Sequence, residues 1–126
     1  MLYTILCYHD EAAVGALSKA QDDALMADLA VVRQQLSAEG KLGPIARLMP
    51  TTAATTLRYG PDSLVIDGPF AETKEALLGF YVVDCASLED AIDAAQRLAA
   101  PREAAGLASA LEIRPIAVFH PASGGT

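Results

Sequence analysis

Two side chains in this sequence stand where they could move a proton. Asp67 follows a short apolar run, Leu64-Val65-Ile66, and precedes Gly68-Pro69. A carboxylate partly screened by apolar neighbours has its pKa raised and can serve as general acid or base. The ordinary alternative is a turn carboxylate that accepts backbone N–H groups. His9 ends another apolar run. Its imidazole could shuttle protons to Asp67 if the first strand and the hairpin arm lie side by side. Its ordinary alternative is a surface or capping histidine. His120 is expected in solvent.

Glu72, Lys74, Arg58 and Tyr81 are candidates for holding a ligand near Asp67. Lys74 could anchor an anion or pair with Glu72. Arg58, like Arg47 and Arg114, could grip a carboxylate with two parallel N–H groups. Tyr81 offers a hydroxyl to a cleft. Each has a plainer role open to it: a solvated charged connection for Glu72, Lys74 and Glu75, surface ion pairs for the arginines, core filling for Tyr81. The sequence carries no phosphate loop, no dinucleotide-binding glycine pattern, no nucleophile elbow and no metal-ligand spacing. The expectation is a site that uses no metal and no cofactor. Proton abstraction next to a carbonyl, isomerase- or lyase-like, suits a carboxylate and an imidazole in an apolar cleft. A non-catalytic ligand-binding or regulatory dimer is the second reading. A purely structural Asp67 is the third.

The elements that must position these groups follow from pattern. Leu2 to Tyr8 predicts a strand with both faces largely apolar. Ser18 and Gln21 have capping-box spacing, and Leu25, Leu29, Val32 and Leu36 form one apolar stripe, so a helix is expected over 18–39, closed by Gly40. Residues 41–53, with Gly43, Pro44 and Pro50, read as loop or irregular edge. Residues 54–59 and 64–67 read as the arms of a hairpin around Gly60-Pro61-Asp62-Ser63. Residues 72–76 read as a loop or short helical turn, and 79–84 as a strand. Ser87 and Asp90 cap a second helix with the stripe Leu88, Ile92, Ala95, Leu98, expected to end near Ala99 before Pro101. Residues 100–109 read as a small-residue linker. A last strand is expected over 111–119, with a bulge or edge position at Pro115.

That order, β-α-β-β-β-α-β, predicts an α+β ferredoxin-like domain over residues 1–120, with an extra hairpin strand joined into one antiparallel sheet and two helices on one face. Residues 121–126 are expected to form a flexible tail. The other sheet face is apolar and is expected to be covered by a second copy, giving a homodimer. Hydrophobic residues make up 52% of the 126, enough for a sizeable core in one domain. A net charge of −7 argues against nucleic acid as a partner. No stretch is long and apolar enough to span a membrane, and the first residues lack a signal-peptide pattern, so a cytoplasmic location is expected. Cys7 and Cys85 lie among apolar neighbours and are expected as buried free thiols.

The run Asp67-Gly68-Pro69-Phe70-Ala71-Glu72-Thr73-Lys74-Glu75, followed by Leu78-Gly79-Phe80-Tyr81, closely resembles the DGPF signature of YCII-related proteins. Thr55-Thr56-Leu57-Arg58 resembles that family's hairpin strand, Ser87-Leu88-Glu89-Asp90-Ala91 its second helix start, and Glu112-Ile113-Arg114-Pro115-Ile116 its closing strand. The resemblance covers nearly the whole chain and implies a dimeric α+β barrel. The wider fold group holds isomerases, monooxygenases and lactone-processing enzymes, a weak guide to activity. Some DGPF-type proteins are encoded near sigma factors of the extracytoplasmic type, which implies a regulatory link as the alternative to catalysis. Broader relatives have been proposed to use a His–Asp pair. Asp67 would match the Asp, and the first predicted helix of this chain holds no histidine.

Overall fold

A computed structural model describes residues 1–122. The elements run β1 (Leu2–Asp10), α1 (Glu11–Gly15), α2 (Lys19–Ala38), β2 (Leu42–Arg47), a single 3-10 turn (Thr51–Ala53), β3 (Thr55–Arg58), β4 (Leu64–Asp67), β5 (Glu75–Asp84), α3 (Leu88–Ala104) and β6 (Ala110–Pro115). Of the expected tail, residues 123–126 lie outside the described residues.

Four strands form an antiparallel sheet in the order β2-β5-β1-β6. The hairpin β3-β4 is a separate two-stranded sheet, which corrects the expectation that its arms would join the main one. Its place is taken by β2, in the segment expected to be loop or irregular edge, and the strand is an irregular edge. Pro44 lacks an N–H, and the pairing of β2 with β5 slips between Leu42 and Ile45. A strand at the sheet edge tolerates such a gap, which a central strand would not.

Alternation along β1 decides the core. Tyr3, Ile5, Cys7 and His9 are buried, while Leu2, Thr4, Leu6, Tyr8 and Asp10 are half-buried. The buried row meets Tyr81 and Val83 of β5, Leu36 of α2, and Ala91, Ala94, Ala95 and Leu98 of α3. Both long helices therefore cover the same face. Small alanines let α3 lie close to the sheet, and each fully buried Ile or Leu contributes about 1.5–3 kcal/mol.

The helices begin as their sequences dictate. Ser18 Oγ accepts the Gln21 N–H at 3.1 Å, and Gln21 Oε1 accepts the Ser18 N–H at 2.8 Å, completing the capping box of α2. Asp10 caps α1 by accepting the Ala12 N–H at 3.0 Å. The two long helices are tied by the fork from Arg97 to Glu39 (3.0 and 2.6 Å) and by Lys41 to Asp90 at 2.7 Å.

α3 runs five residues past the expected end, through Pro101 to Ala104. Proline's fixed φ suits a helix, and near the C-terminus it forfeits only one backbone bond. The true stop is Gly106, at φ +81, where the N–H groups of Ala105, Gly106 and Leu107 return to carbonyls of the last turn. β6 stops at Pro115 rather than Phe119. The Ile116 N–H still reaches the Leu2 carbonyl at 3.0 Å, and then the pairing ends. Both cysteines are buried and free. Among the described residues, no helix is long and apolar enough to cross a membrane.

Candidate functional site

The alternation of β1 carries its buried row past Cys7 to His9, so a polar ring follows three apolar side chains onto the helix-covered face. Opposite, β5 slips register between the partners of Cys7 and Tyr8: Cys7 faces Gly79, Tyr8 faces Leu77, and Leu78 is the extra residue. Such a bulge re-aims side chains and locally breaks the ladder. Gly79 also lets β2 come close, since a Cβ there would stand 2.7 Å from the Ala46 carbonyl oxygen.

Between this part of the sheet and the helices lies a cavity of about 110 Å³. β1 contributes Cys7 and His9, β5 Leu78 and Tyr81, and β2 Ile45 and Arg47. From α2 come Asp22, Leu25, Met26, Leu29 and Arg33, and from α3 Arg102. On α2 the polar members are placed by helical geometry: Asp22, Met26, Leu29 and Arg33 fall at i, i+4, i+7 and i+11, a row beside the core stripe.

His9 is only 6% exposed, and neither Nδ1 nor Nε2 has a hydrogen-bond partner among the described residues. Leaving a buried polar group unpaired costs about 1–3 kcal/mol. Burial first, and the Arg102 guanidinium second, push the imidazole pKa down to about 4. At neutral pH it is therefore uncharged, with one N–H to donate and one lone pair to accept with. Burial raises the Cys7 thiol, with Arg102 only partly offsetting it, so Cys7 remains a thiol rather than a nucleophilic thiolate. Arg102 donates to the Leu98 carbonyl at 2.9 Å and lies 3.4 Å from the Tyr81 hydroxyl. At the mouth, Arg47 bonds Asp22 Oδ1 and Met26 Sδ, each at 3.2 Å. Val14, Asp22, Arg47 and Leu78 also line the open groove outside, so this ion pair stands between cavity and surface.

The structure divides the candidates named from sequence. His9 and Tyr81 share the cavity. Asp67, Arg58, Glu72 and Lys74 lie on the hairpin and the loop after it, all exposed, and none lines the cavity. β1 pairs with β5 and β6, and β4 with β3, so the side-by-side arrangement required for a His9–Asp67 shuttle is not present within the chain. Arg58 donates to the Phe70 carbonyl at 3.1 Å, Thr56 Oγ to the Gly68 carbonyl at 2.7 Å, and the Gly68 N–H to the Ala54 carbonyl at 2.7 Å. Gly68 takes φ +101, which glycine adopts without strain. The signature loop is thus held to its hairpin by its own backbone. Glu72 borders an open groove with Glu11 and Thr51. There the Glu11 carboxylate accepts the Thr51 N–H (2.8 Å) and hydroxyl (2.5 Å), bonds that hold it below the usual carboxylate range. Arg114 pairs with Glu112 at the surface. His120 is exposed, as expected.

Arg102, Arg33 and Leu78 were not among the sequence candidates. Arg102 fell in the presumed linker, yet it stands four residues after Leu98 and so continues the buried stripe of α3. Arg33 is likewise four residues beyond Leu29. Leu78 depends on a bulge that alternation alone does not reveal. Among the described residues, no three His, Cys, Asp or Glu side chains converge as metal ligands.

With this geometry in hand, comparison with known proteins adds two findings. The family model of the YCII-related domain matches residues 1–117. An uncharacterised protein of Rhizobium meliloti (strain 1021) is 51% identical over 122 residues, covering 96% of each chain.

Proposed function

The chain belongs to the YCII-related domain family, and from that footing we propose that it is a small cofactor-independent enzyme that moves a proton on a molecule held in the His9 cavity. One observation carries this reading: a buried imidazole in a cavity wall with both nitrogens unpartnered. A leucine would fill that position without the cost of an unpaired polar group. A ligand atom at either nitrogen offsets that cost and turns the imidazole into a working group.

Isomerase- or lyase-like chemistry fits best. The lone pair of neutral His9 accepts a proton from carbon next to a carbonyl, and the Arg102 guanidinium and Tyr81 hydroxyl favour the negative charge that develops on oxygen. The test is solvent deuterium exchange into small carbonyl compounds, followed by NMR, for wild type and His9→Gln. Wild type is expected to catalyse exchange, with kcat/KM rising from acid pH and levelling above about pH 5, since the free imidazole titrates near 4. Exchange that survives unchanged in His9→Gln would overturn the assignment.

A second reading, a ligand-binding dimer without turnover, draws on the open face of the sheet. Leu2, Leu6, Tyr8 and Phe80 are half-buried there and Leu77 is exposed. Packing two such faces together, as in a ferredoxin-like dimeric barrel, would cover them. Sedimentation should then give a dimer for wild type and a monomer for Leu6→Glu. A monomeric wild type at micromolar concentration would remove this feature. Ligand binding without any exchange would favour the second reading over the first.

A further inference from the structure

Taking the His9 cavity as the ligand site, we infer that its ligand is a small carboxylate with a branched apolar body, its charged end held by Arg33 and its body against the leucines of α2.

The charge balance of the cavity supports this. Three of the chain's six arginines line it, Arg33, Arg47 and Arg102, against one carboxylate, Asp22, in a protein of net charge −7. Arg47 and Asp22 neutralise each other at the mouth. Arg102 has part of its fork on the Leu98 carbonyl and faces no carboxylate in the cavity. Arg33 is half-buried and has no hydrogen-bond or ion-pair partner among the described residues. Two positive charges thus line the cavity without a counter-ion, Arg102 beside the neutral imidazole and Arg33 on the α2 wall. Removing a cation from water without a partner is costly, and a ligand carboxylate supplies the partner.

The rest of the wall sets the size and body. Leu25, Leu29, Ile45, Leu78 and Leu107 are apolar, and the volume of about 110 Å³ is below the ~150 Å³ that admits benzene. A phosphate ester would engage only the charged end of the cavity and would waste the apolar wall. A branched four- or five-carbon acid matches both. Its charge also acts on His9. An anion beside the ring counters the field of Arg102 and raises the basicity that burial has lowered. The ligand that fits is therefore one that helps to make His9 a better base.

The experiment follows the His9 imidazole resonances by NMR while adding 2-methylpropanoate or 3-methylbutanoate, each against its neutral amide, on wild type and Arg33→Gln. The carboxylates are expected to shift His9 in wild type and to bind about 10- to 100-fold more weakly to Arg33→Gln, as loss of a charged hydrogen bond implies. Backbone amide spectra verify that the variant is folded, and Gln is a good helix residue. Amides that shift His9 as strongly as the acids would leave the cavity as a ligand site but overturn the carboxylate assignment. Unchanged carboxylate affinity in Arg33→Gln would overturn the role of Arg33. If neither acids nor amides move His9, both this inference and the site itself fall.

Discussion

His9, next to last in β1, and Asp67, last in β4, both stand at a strand end, and their surroundings could hardly differ more. His9 lies in the four-stranded sheet beneath two helices, with no hydrogen-bond partner for either nitrogen among the described residues. Asp67 lies exposed at the end of a two-stranded hairpin whose loop is held by Thr56, Arg58 and Gly68. A charge at an exposed turn costs little and demands no function. A polar ring placed where a leucine would pack is a standing expense of stability, and that expense marks the site. The comparison teaches that the most recognisable stretch of a chain and its most reactive place need not coincide.

The largest effect that separates the two regions is on stability. Leu29 is 1% exposed and belongs both to the core and to the cavity wall. Leu29→Ala is expected to cost about 2–5 kcal/mol in urea unfolding. Leu57→Ala, at a hairpin position 62% exposed, should stay within about 0.5 kcal/mol. Equal losses would break the contrast between a load-carrying cavity wall and a freely solvated hairpin.

Gly79→Ala comes next. Its Cβ would meet the Ala46 carbonyl oxygen at 2.7 Å, a backbone atom that cannot move alone. β2 must shift, at about 1–3 kcal/mol, and the cavity wall with it. A melting temperature within a degree of wild type would show that β2 is not seated as described.

The pH dependence isolates His9. Its folded pKa of about 4 lies below the unfolded value near 6.5, so the unfolded chain binds more protons between these limits. Stability from this group is full above pH 6.5 and is lost as pH falls toward 4. Arg102 from α3, Tyr81 from β5, Arg33 and Asp22 from α2, Arg47 from β2 and Cys7 from β1 are the charged or polar groups that share its cavity. The carboxylates of Glu11, Glu39 and Asp90, held low by their hydrogen bonds, keep their contributions above the usual carboxylate range and lose them as pH falls from there toward their lowered folded values, outside the window of His9 between pH 7 and 5. Wild type should therefore lose about 1–2 kcal/mol between pH 7 and 5, and His9→Leu should be flatter over the same range. Identical curves for the two proteins would contradict a buried neutral imidazole.

Much of this architecture is legible in the residues themselves. The strand read over 2–8, which runs two residues further to Asp10, the capping box at Ser18 and Gln21, and the cap at Ser87 are local signals, and local signals suffice for them. β2 was legible only as a loop or irregular edge, because Gly43 and Pro44 weaken the strand signal and only pairing with β5 decides between the two. The end of α3 was misplaced because Pro101 is a strong stop in general but a tolerable residue in a last turn. The site was half legible. His9 and Tyr81 could be named from type and position, whereas Arg33 and Arg102 become visible only when two helices are laid on one face of a sheet. The independence of the hairpin from that sheet depends on long-range pairing and has no local mark.

The smallest expected effect is at Asp67. Its side chain has no hydrogen-bond partner among the described residues, so Asp67→Asn should change stability by less than about 0.5 kcal/mol.

The most direct test sets the two strand ends against each other: a thermal-shift screen of small carboxylates, lactones and phenols on wild type, His9→Leu and Asp67→Asn in parallel. A ligand that stabilises wild type and Asp67→Asn alike, and loses its effect in a folded His9→Leu, is the predicted result. A ligand whose effect disappears in Asp67→Asn and persists in His9→Leu would contradict the account and move the site to the hairpin.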